Sequence, residues 1–283
     1  MAGHQRAVVV TGAAKGIGRA CVLRLARAGF RIYAGVRNAA DGETLRAEAG
    51  ANVLPMHIDV TQADTIAAAT SLIRSDLTGT PLIGLVNNAG IAVAGPLEFL
   101  PLDDLRRQFE VNVIGQVAMA QAMLPWLRAA RGRIVNIGSI SGKSALPLVG
   151  PYAASKHALE AITDSLRVEL HSAGVDVVII EPGVIATPIW QTSIAATEKM
   201  LEHAPQAVQY YGRLLERIRE RASRGGSRGL PADAVARVVE EALTARRPKT
   251  RYIVGRDARA RALFQHLPDR WRDRIIAWQL SRI

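Results

Sequence analysis

Fully apolar strands that alternate with longer helical segments constrain the fold of this chain more than any other feature. Val8-Val9-Val10 and Val177-Val178-Ile179-Ile180 contain no polar residue, so both faces of each strand are predicted to be buried. Strands are predicted at residues 7–10, 31–36, 53–59, 82–87, 133–138, 175–181 and 251–254. Helical patterns separate them, which predicts an α/β fold with a doubly wound, seven-stranded parallel sheet and helices on both faces.

The predicted helices set the organisation of the rest of the chain. They lie at residues 16–28, 45–49, 61–77, 102–127 and 152–173. Two segments interrupt the alternation: residues 188–231, read as a substrate lid inserted after strand six, and residues 256–283, read as a basic helical tail. No long low-complexity linker divides the chain, so we expect one domain over residues 1–283.

The positive charge of the chain is concentrated near its C-terminus. The formal net charge is +11, and from Arg246 onward there are eleven Lys and Arg residues against three acidic ones. The other 245 residues therefore carry only +3. No nucleic-acid-binding motif accompanies this charge, so nucleic acid is not expected as a partner.

Cysteine content and hydropathy exclude several classes of protein. Cys21 is the single cysteine, so no internal disulfide and no cysteine-based metal cluster can form, and we predict no metal site. The N-terminus runs into an apolar strand without a signal-peptide hydrophobic region. No apolar run reaches the ~18–20 residues of a membrane span. A cytoplasmic location is therefore expected.

A glycine-rich loop follows the first strand and precedes a helix. Its sequence is Thr11-Gly12-Ala13-Ala14-Lys15-Gly16-Ile17-Gly18. Glycines allow a tight turn and a close approach of backbone amides to a pyrophosphate, and the helix N-terminus adds positive partial charge. The segment predicts dinucleotide binding.

The end of the second strand predicts which dinucleotide is bound. A carboxylate there would bind the ribose 2′-hydroxyl and repel a 2′-phosphate. Here Arg37 and Asn38 follow Val36, and Lys15 lies in the glycine loop. Two cations without an acid predict a preference for NADP, with NAD left possible.

Polar residues also follow the other strands, where such folds bind ligands. They are Asp59 with Val60, Asn87-Asn88-Ala89-Gly90, Ser139, and the segment from Pro182 to Thr187. Tyr152 and Lys156 lie one helical turn apart, so an ammonium near the phenol is expected to lower the tyrosine pKa. Asn112 lies inside a predicted helix. Because asparagine has a low helix propensity, a functional role would explain its position.

Taken together, these segments resemble the short-chain dehydrogenase/reductase family, from Val8 to about Pro188, in order and spacing. The resemblance implies a Rossmann-type sheet and a Ser-Tyr-Lys-Asn catalytic set. Tyr152 would be the acid/base, Lys156 would lower its pKa and hold the nicotinamide ribose, Ser139 would hydrogen-bond the substrate oxygen, and Asn112 would hold a relay water. The cofactor-binding residues predicted by the motifs and the resemblance are Gly12, Lys15, Gly16, Ile17, Gly18, Arg37, Asp59, Val60, Asn87, Asn88, Ala89, Gly90, Tyr152, Lys156, Pro182, Gly183, Ile185 and Thr187.

The substrate prediction depends on the lid and on the loop of residues 144–150. Their side chains are mostly apolar and include no cationic cluster, so Ser139, Leu146 and Trp190 are expected to contact a hydrophobic ketone or alcohol. Steroids, retinoids and long-chain aliphatic compounds fit this description, and the lid and tail resemble those of hydroxysteroid and retinol dehydrogenases. The same apolar lid residues could instead only pack on the body.

Two alternative functions are also compatible with the sequence. An NAD-dependent or ketoacyl-type reductase of the same family is one, and a non-catalytic, redox-sensing dinucleotide-binding protein is another. The tail carries Trp271, Ile275 and Trp278 on one helical stripe and Ile276, Leu280 and Ile283 on a second. It could pack within the molecule, cover the active site, join a subunit interface or contact a membrane. The family resemblance also implies a homodimer or homotetramer.

Overall fold

The sheet is built as the strand pattern predicts. The computed structural model describes residues 6–281, except for the side chains of 221–228 and 281, and Ile283 of the predicted second stripe lies outside this part. The strands are β1 (Ala7–Val10), β2 (Arg31–Val36), β3 (Val53–His57), β4 (Leu82–Asn87), β5 (Arg133–Ile137), β6 (Asp176–Pro182), β7 (Ile185–Ala186), β8 (Leu230–Pro231) and β9 (Arg251–Val254). Within the described residues, seven of them form one parallel sheet in the order β3-β2-β1-β4-β5-β6-β9.

Helices cover both faces of this sheet. They are α1 (Gly16–Arg27), α2 (Ala39–Ala49), α3 (Ala63–Asp76), α4 (Leu102–Phe109), α5 (Gly115–Ala130), α6 (Gly150–Glu169), α7 (Ile189–His203), α8 (Pro205–Arg228), α9 (Ala232–Thr244), α10 (Arg256–Phe264) and α11 (Asp269–Ser281). Because side chains alternate along a strand, Val8 and Val10 of β1 pack toward α1 and α9, whereas Ala7 and Val9 pack toward α3 and α5. The fold is therefore Rossmann-type.

The strand order reverses between β1 and β4. Parallel sheets leave a crevice at such a reversal, beyond the carboxyl ends of the strands. The glycine loop after β1 and the segment from Asn87 to Gly90 after β4 meet there, because Asn88 and Ala89 both donate their backbone amides to the Thr11 hydroxyl at 3.0 Å. This crevice positions the functional site.

The lid and the tail are both helical. Strands β7 and β8 pair with each other at the base of the lid, so that the chain leaves for α7 and returns from α8 at the same place. The glycines near residue 225 do not end the helix, since α8 continues to Arg228. Helix α9, which has no counterpart among the sequence-based expectations, buries Val235, Val239 and Leu243 against the sheet.

The predicted helix at residues 102–127 consists of three pieces. Helices α4 and α5 are joined by a π-helical segment, Glu110–Ile114, which contains Asn112. Such π-turns are rare among helices in general, and those that occur are often found at functional sites. A π-turn contains one residue more than an α-helical turn. Here it coincides with Asn112, the polar residue inside the predicted helix.

Candidate active site

The glycine loop has the geometry needed to approach a pyrophosphate. Gly12 and Gly16 adopt positive φ angles of 61° and 55°, which favour glycine. A Cβ on Gly12 would lie 2.9 Å from the Ala89 Cα atom. Lys15 precedes α1 in an extended conformation, and no side chain caps this helix. Its first backbone amides are thus available to an anion.

Two predicted cofactor residues are placed differently from the others. Asn87 is buried and its amide donates to the Gln116 carbonyl and the Asn136 Oδ1 atom, both at 3.1 Å, so it lies behind the crevice. Gly18 is buried on α1, where a Cβ would come 2.2 Å from the Gly12 carbonyl oxygen. Neither residue is among those that line the cavity, so direct contact of Asn87 or Gly18 with a cofactor stays a prediction.

Thr11 and Asn88 join the glycine loop to β4. The Asn88 side chain donates to the carbonyl oxygens of Thr11 at 2.9 Å and Gly12 at 3.1 Å. Together with the bonds that Thr11 accepts, these contacts fix the loop against the neighbouring strand. Sequence reasoning gave Thr11 no role, although its place at the carboxyl end of β1 is a signal for one.

A cavity of about 660 Å³ lies in the crevice. The remaining predicted cofactor residues line it: Gly12, Lys15, Gly16, Ile17, Arg37, Asp59, Val60, Asn88, Ala89, Gly90, Tyr152, Lys156, Pro182, Gly183, Ile185 and Thr187. This cavity is suitable for a dinucleotide for three reasons. Its glycines lie where an added Cβ would collide with neighbouring atoms, the N-terminus of α1 is uncapped, and two cations line the wall.

The end of the cavity near β2 is polar. Arg37 is exposed, and Asn38 caps α2 by accepting the Ala40 amide at 2.8 Å. Burial alone would raise the pKa of Asp59, but hydrogen bonds from the Thr61 hydroxyl and amide, with the charge of Arg37, hold it below its ordinary value. Asp41, which is not among the predicted site residues, also lines the cavity.

Tyr152, Ser139 and Lys156 converge at the other end of the cavity. Ser139 lies two residues after β5, where its hydroxyl caps a short 3₁₀-helix by accepting the Ser141 amide at 3.0 Å. Lys156 is buried, its Nζ atom donates to the Ile137 carbonyl at 2.7 Å, and this atom lies 5.8 Å from the centroid of the Tyr152 ring. The predicted residues are therefore brought together.

The expected lowering of the Tyr152 pKa by Lys156 does not hold for the protein alone. Burial raises the pKa of Tyr152, while a hydrogen bond with Ser139 and the positive charge of Arg261 act in the opposite direction. Burial also lowers the pKa of Lys156 to about 8, against the influence of Glu160. The shared low-polarity environment disfavours both charged forms, which spacing along a helix does not reveal.

Asn112 is buried, and protein groups engage both ends of its side chain. Its Oδ1 atom accepts the Ile91 amide at 2.9 Å, and its Nδ2 atom donates to the Ile91 carbonyl at 3.0 Å and to Ser155 Oγ at 3.1 Å. Since Ser155 precedes Lys156 on α6, the bond from Asn112 to Ser155 ties the π-helical segment to the helix that carries Tyr152 and Lys156.

A second cavity, of about 520 Å³, meets the first at Tyr152. Ala94, Tyr152 and Trp190 line both cavities, and Leu146 lines the second. The Trp190 indole nitrogen donates to the Ile185 carbonyl at 3.0 Å, which holds the ring between the two spaces. Of the predicted substrate residues, Leu146 and Trp190 thus face the second cavity and Ser139 faces the first.

The lid packs on the body and encloses this second cavity as well. Met200 belongs to a small apolar cluster with Val93 and Leu100, and the Tyr210 ring stacks on Phe99 with centroids 6.3 Å apart. Ile194 and Val208, by contrast, line the second cavity. Some apolar lid residues therefore pack on the body, and others line the second cavity.

The fold and this geometry agree with the comparisons to known proteins. A family model described as short chain dehydrogenase matches residues 6–198. The chain belongs to the short-chain dehydrogenase/reductase family, and is an oxidoreductase of the kind that interconverts alcohols and ketones.

Individual relatives extend over nearly the whole chain. It is 34% identical to the NADPH-dependent 3-dehydrocapnine reductase of Ornithobacterium rhinotracheale, covering 98% of both proteins. It is 35% identical to retinol dehydrogenase 5 of Mus musculus, covering 97% of this chain and 89% of that protein. A short-chain dehydrogenase/reductase from Burkholderia phymatum, solved in complex with NAD, superimposes with a TM-score of 0.76 at 27% identity, covering 93% of each chain.

Proposed function

We propose that this chain transfers a hydride between NADP(H) and a hydrophobic ketone or secondary alcohol, or an aldehyde and its alcohol. Steroids, retinoids and long-chain aliphatic compounds are the substrate classes that fit. The observation that carries the proposal is the position of Tyr152, at the junction of a dinucleotide-sized crevice and a mostly apolar cavity. The retinol dehydrogenase among the relatives supports an apolar substrate.

The proposed chemistry assigns a task to each side chain at this junction. A bound reduced nicotinamide dinucleotide supplies the hydride. Because its pKa is raised, Tyr152 is protonated at neutral pH and can donate its proton to a carbonyl oxygen. Ser139 offers a second hydroxyl to the same oxygen as negative charge develops there. Lys156 is held by the Ile137 carbonyl and adds positive charge, and Asn112 completes the proposed catalytic set.

The test of this assignment is Tyr152→Phe. The substitution removes one hydroxyl, and loss of a general acid costs about 10²- to 10⁴-fold in rate. We expect NADPH oxidation with a panel of steroid, retinoid, long-chain and small ketones and aldehydes to fall by this factor. Cofactor affinity, measured by fluorescence titration, should change by less than about 3-fold, because the ring remains. Near-wild-type turnover in this variant would refute the assignment.

The preference for NADP is proposed on the cations Arg37 and Lys15, which line the cavity. The relative described as NADPH-dependent supports it. NAD is the alternative cofactor, favoured by the Asp41 carboxylate in the same cavity and by the NAD complex of a structural neighbour. Comparing kcat/KM for NADPH and NADH decides between them.

Two other functions are alternatives for this site. A ketoacyl-type reductase would use the same catalytic set, and the substrate panel distinguishes it by adding acyl thioesters. A non-catalytic, redox-sensing protein would bind the dinucleotide without turnover, and the basic tail is the feature that favours it. Salt-dependent DNA binding in the absence of any turnover would support this second reading.

The proposal extends to assembly and location. We propose a homodimer or homotetramer formed through α4 with α5 and through α6, which light scattering tests directly. In the part of the chain that the structure describes, no helix combines the length and apolarity needed to cross a bilayer. We propose a cytoplasmic protein with peripheral membrane contact through its basic tail, to be tested by cell fractionation.

A further inference from the structure

Helix α8 of the lid forms one wall of the second cavity. Four of the residues that it contributes to this wall lie along one face of the helix, because they are three or four positions apart. They are Val208, Gly212, Leu215 and Arg219. Gly212 is the member of this stripe that presents no side chain to the cavity.

The charged residues of this cavity lie toward solvent or are held by other groups. Arg219 and Glu198 pair at 2.6 Å, with side chains 66% and 46% exposed, and Glu216 is also exposed. Asp257 accepts a backbone amide after β6, and Arg261 donates to a carbonyl in the loop before α6. The apolar residues of the stripe are therefore the part of α8 that an apolar ligand would contact.

The fold itself does not require a glycine at position 212. Glycine is among the least favourable residues inside a helix, and Gly212 lies in the interior of α8 without a positive φ. Apart from its chain neighbours and the backbone of its own helix, the described atom nearest to a Cβ built there is Cγ1 of Val208, at 3.8 Å. Neither a turn nor the close approach of another element accounts for this glycine, whereas free space on the cavity wall does.

We propose that Gly212 determines how long the apolar part of the substrate can be. The substrate extends from its reacting carbon at Tyr152 to α8, where its chain packs on the helix backbone at Gly212. It thereby covers Val208, whose side chain is otherwise 52% exposed. This inference rests on the proposed function and narrows its substrate class to ketones and alcohols whose apolar part reaches α8.

The first test measures kcat/KM with NADPH for methyl ketones of increasing length, from butan-2-one to undecan-2-one. Each methylene group that becomes buried strengthens binding about 4-fold, so wild-type kcat/KM should rise along the series until the chain has passed Gly212. In Gly212→Leu the rise should stop several carbons earlier. We expect kcat/KM to fall about 10- to 100-fold for undecan-2-one and less than about 3-fold for butan-2-one.

Two further variants serve as controls. Gln209→Leu adds the same side chain at an exposed position of α8 outside the cavity, and should leave the whole series unchanged. Gly212→Ala should show a smaller loss for long ketones and, because alanine favours a helix, a Tm higher by about 1–4 °C. A lower Tm in Gly212→Ala would show that the fold needs this glycine, and would overturn the proposal.

A hinge for movement of the lid is the rival explanation for a glycine in this helix. Loss of a hinge would affect ligands of every length alike, whereas a filled gap affects only long ones. Binding without turnover separates the two in the same way. Titration calorimetry therefore compares decan-1-ol with hexan-1-ol on the full-length protein saturated with NADPH, because the reduced cofactor leaves both alcohols unchanged.

In Gly212→Leu we expect the affinity for decan-1-ol to fall about 10- to 100-fold and that for hexan-1-ol to change less than about 3-fold. Equal losses for both alcohols, no loss for either, or a wild type that binds decan-1-ol no more tightly than hexan-1-ol would contradict the proposal. If no ketone is reduced while decan-1-ol binding depends on Gly212 in this way, the proposed function fails and the size limit stands.

Discussion

At the scale of single residues, burial of Tyr152 and Lys156 changes the pKa values that their spacing along the helix predicts. Spacing places Tyr152 and Lys156 one turn apart, and the expected effect was a stabilised phenolate. Burial of both side chains reverses that expectation in the protein alone, since it disfavours charge on each. In the proposed mechanism, Tyr152 would give up its proton only when a substrate oxygen develops negative charge.

The pKa of Lys156 predicts a pH dependence. The pKa of Lys156 in the folded protein, about 8, lies below the ordinary lysine value of 10.5, so the ammonium is lost as pH rises through about 8. The kcat/KM for NADPH reports the free enzyme, and we expect it to decline above that pH. Lys156→Met should be much less active and flat over the same range. An unchanged slope in this variant would assign the titration to another group.

The same shift has a consequence for stability. Between about pH 8 and pH 10.5 the unfolded chain holds the Lys156 proton more tightly than the folded chain. The contribution of Lys156 to the free energy of unfolding therefore rises with pH across this window. Below pH 8, Lys156 is protonated in both the folded and the unfolded chain, so its buried charge lowers the free energy of unfolding by a constant amount.

Arg37 provides a residue-scale test of cofactor choice. Its side chain is exposed in the cavity, so Arg37→Ala should leave the fold intact and remove one cation from a 2′-phosphate. We expect kcat/KM for NADPH to fall about 10- to 100-fold, and that for NADH to change less than about 3-fold. Arg46→Ala, which removes an exposed arginine from α2 outside the cavity, is the matched control. Equal effects on both cofactors would contradict a 2′-phosphate contact.

At the scale of elements, the tail helices present apolar side chains to solvent. Leu263 on α10 is 74% exposed, and Trp271 and Trp278 on α11 are 59% and 51% exposed. The two tryptophans are seven residues apart and share one helical face, beside the exposed Arg270 and Arg274. Tryptophan and arginine on one face are typical of helices that lie at an anionic membrane surface.

This face predicts lipid-dependent binding. In a vesicle sedimentation assay, we expect the protein to bind phosphatidylglycerol vesicles more tightly than phosphatidylcholine vesicles, because each arginine contributes about 1 kcal/mol near an anionic surface. Changing Trp271 and Trp278 together to serine should weaken binding to both. Binding that is unaffected by this double variant, or a protein that stays in the supernatant with either lipid, would show that the tail does not contact membranes.

At the scale of the whole molecule, a charged cluster holds the last strand to the sheet. Arg251 of β9 contacts Glu160 at 3.1 Å and Asp164 at 2.7 Å on α6, and Glu181 at 3.3 Å on β6. Lys143 lies 3.0 Å from Glu160 and 3.8 Å from Glu181. Burial, with the negative charge of Glu160, raises the pKa of Glu181 to about 7.

The cluster predicts a pH-dependent stability. Glu181 binds its proton more tightly when folded, so its contribution to the free energy of unfolding falls as pH rises from about 4.5 to about 7. Arg251→Met leaves buried carboxylates without this partner and should cost about 3–5 kcal/mol above pH 7, and less at pH 5. Urea unfolding measures both values. Since we propose one domain over residues 1–283, a single transition is expected.

A surface ion pair provides the control for this experiment. Arg106 pairs with Asp103 one turn away on α4, and both side chains are exposed. Arg106→Met should therefore change the free energy of unfolding by less than about 1 kcal/mol at either pH. If Arg251→Met were equally mild, the cluster would not be what holds β9 in place.

The sequence by itself determined the sheet and most of the cofactor crevice, because both depend on local patterns. Strand β1 is apolar over its whole length, and Gly12 and Gly16 follow it at fixed spacing, so burial and turn geometry could be predicted without distant contacts. The order of polar residues at strand ends identified the family. Asn87 and Gly18 lie beside the cavity but not on its wall, a difference that local pattern does not reveal.

Only the tertiary structure decided which distant segments share the site. Arg261 reaches the cavity because α10 packs beside the loop after β5, more than one hundred residues earlier in the chain. The pKa shifts of Tyr152 and Lys156 likewise follow from burial, and Asn112 reaches its partners Ile91 and Ser155 from a π-turn. Burial and charge–charge interactions depend on distances in space, which the order of residues along this chain does not contain.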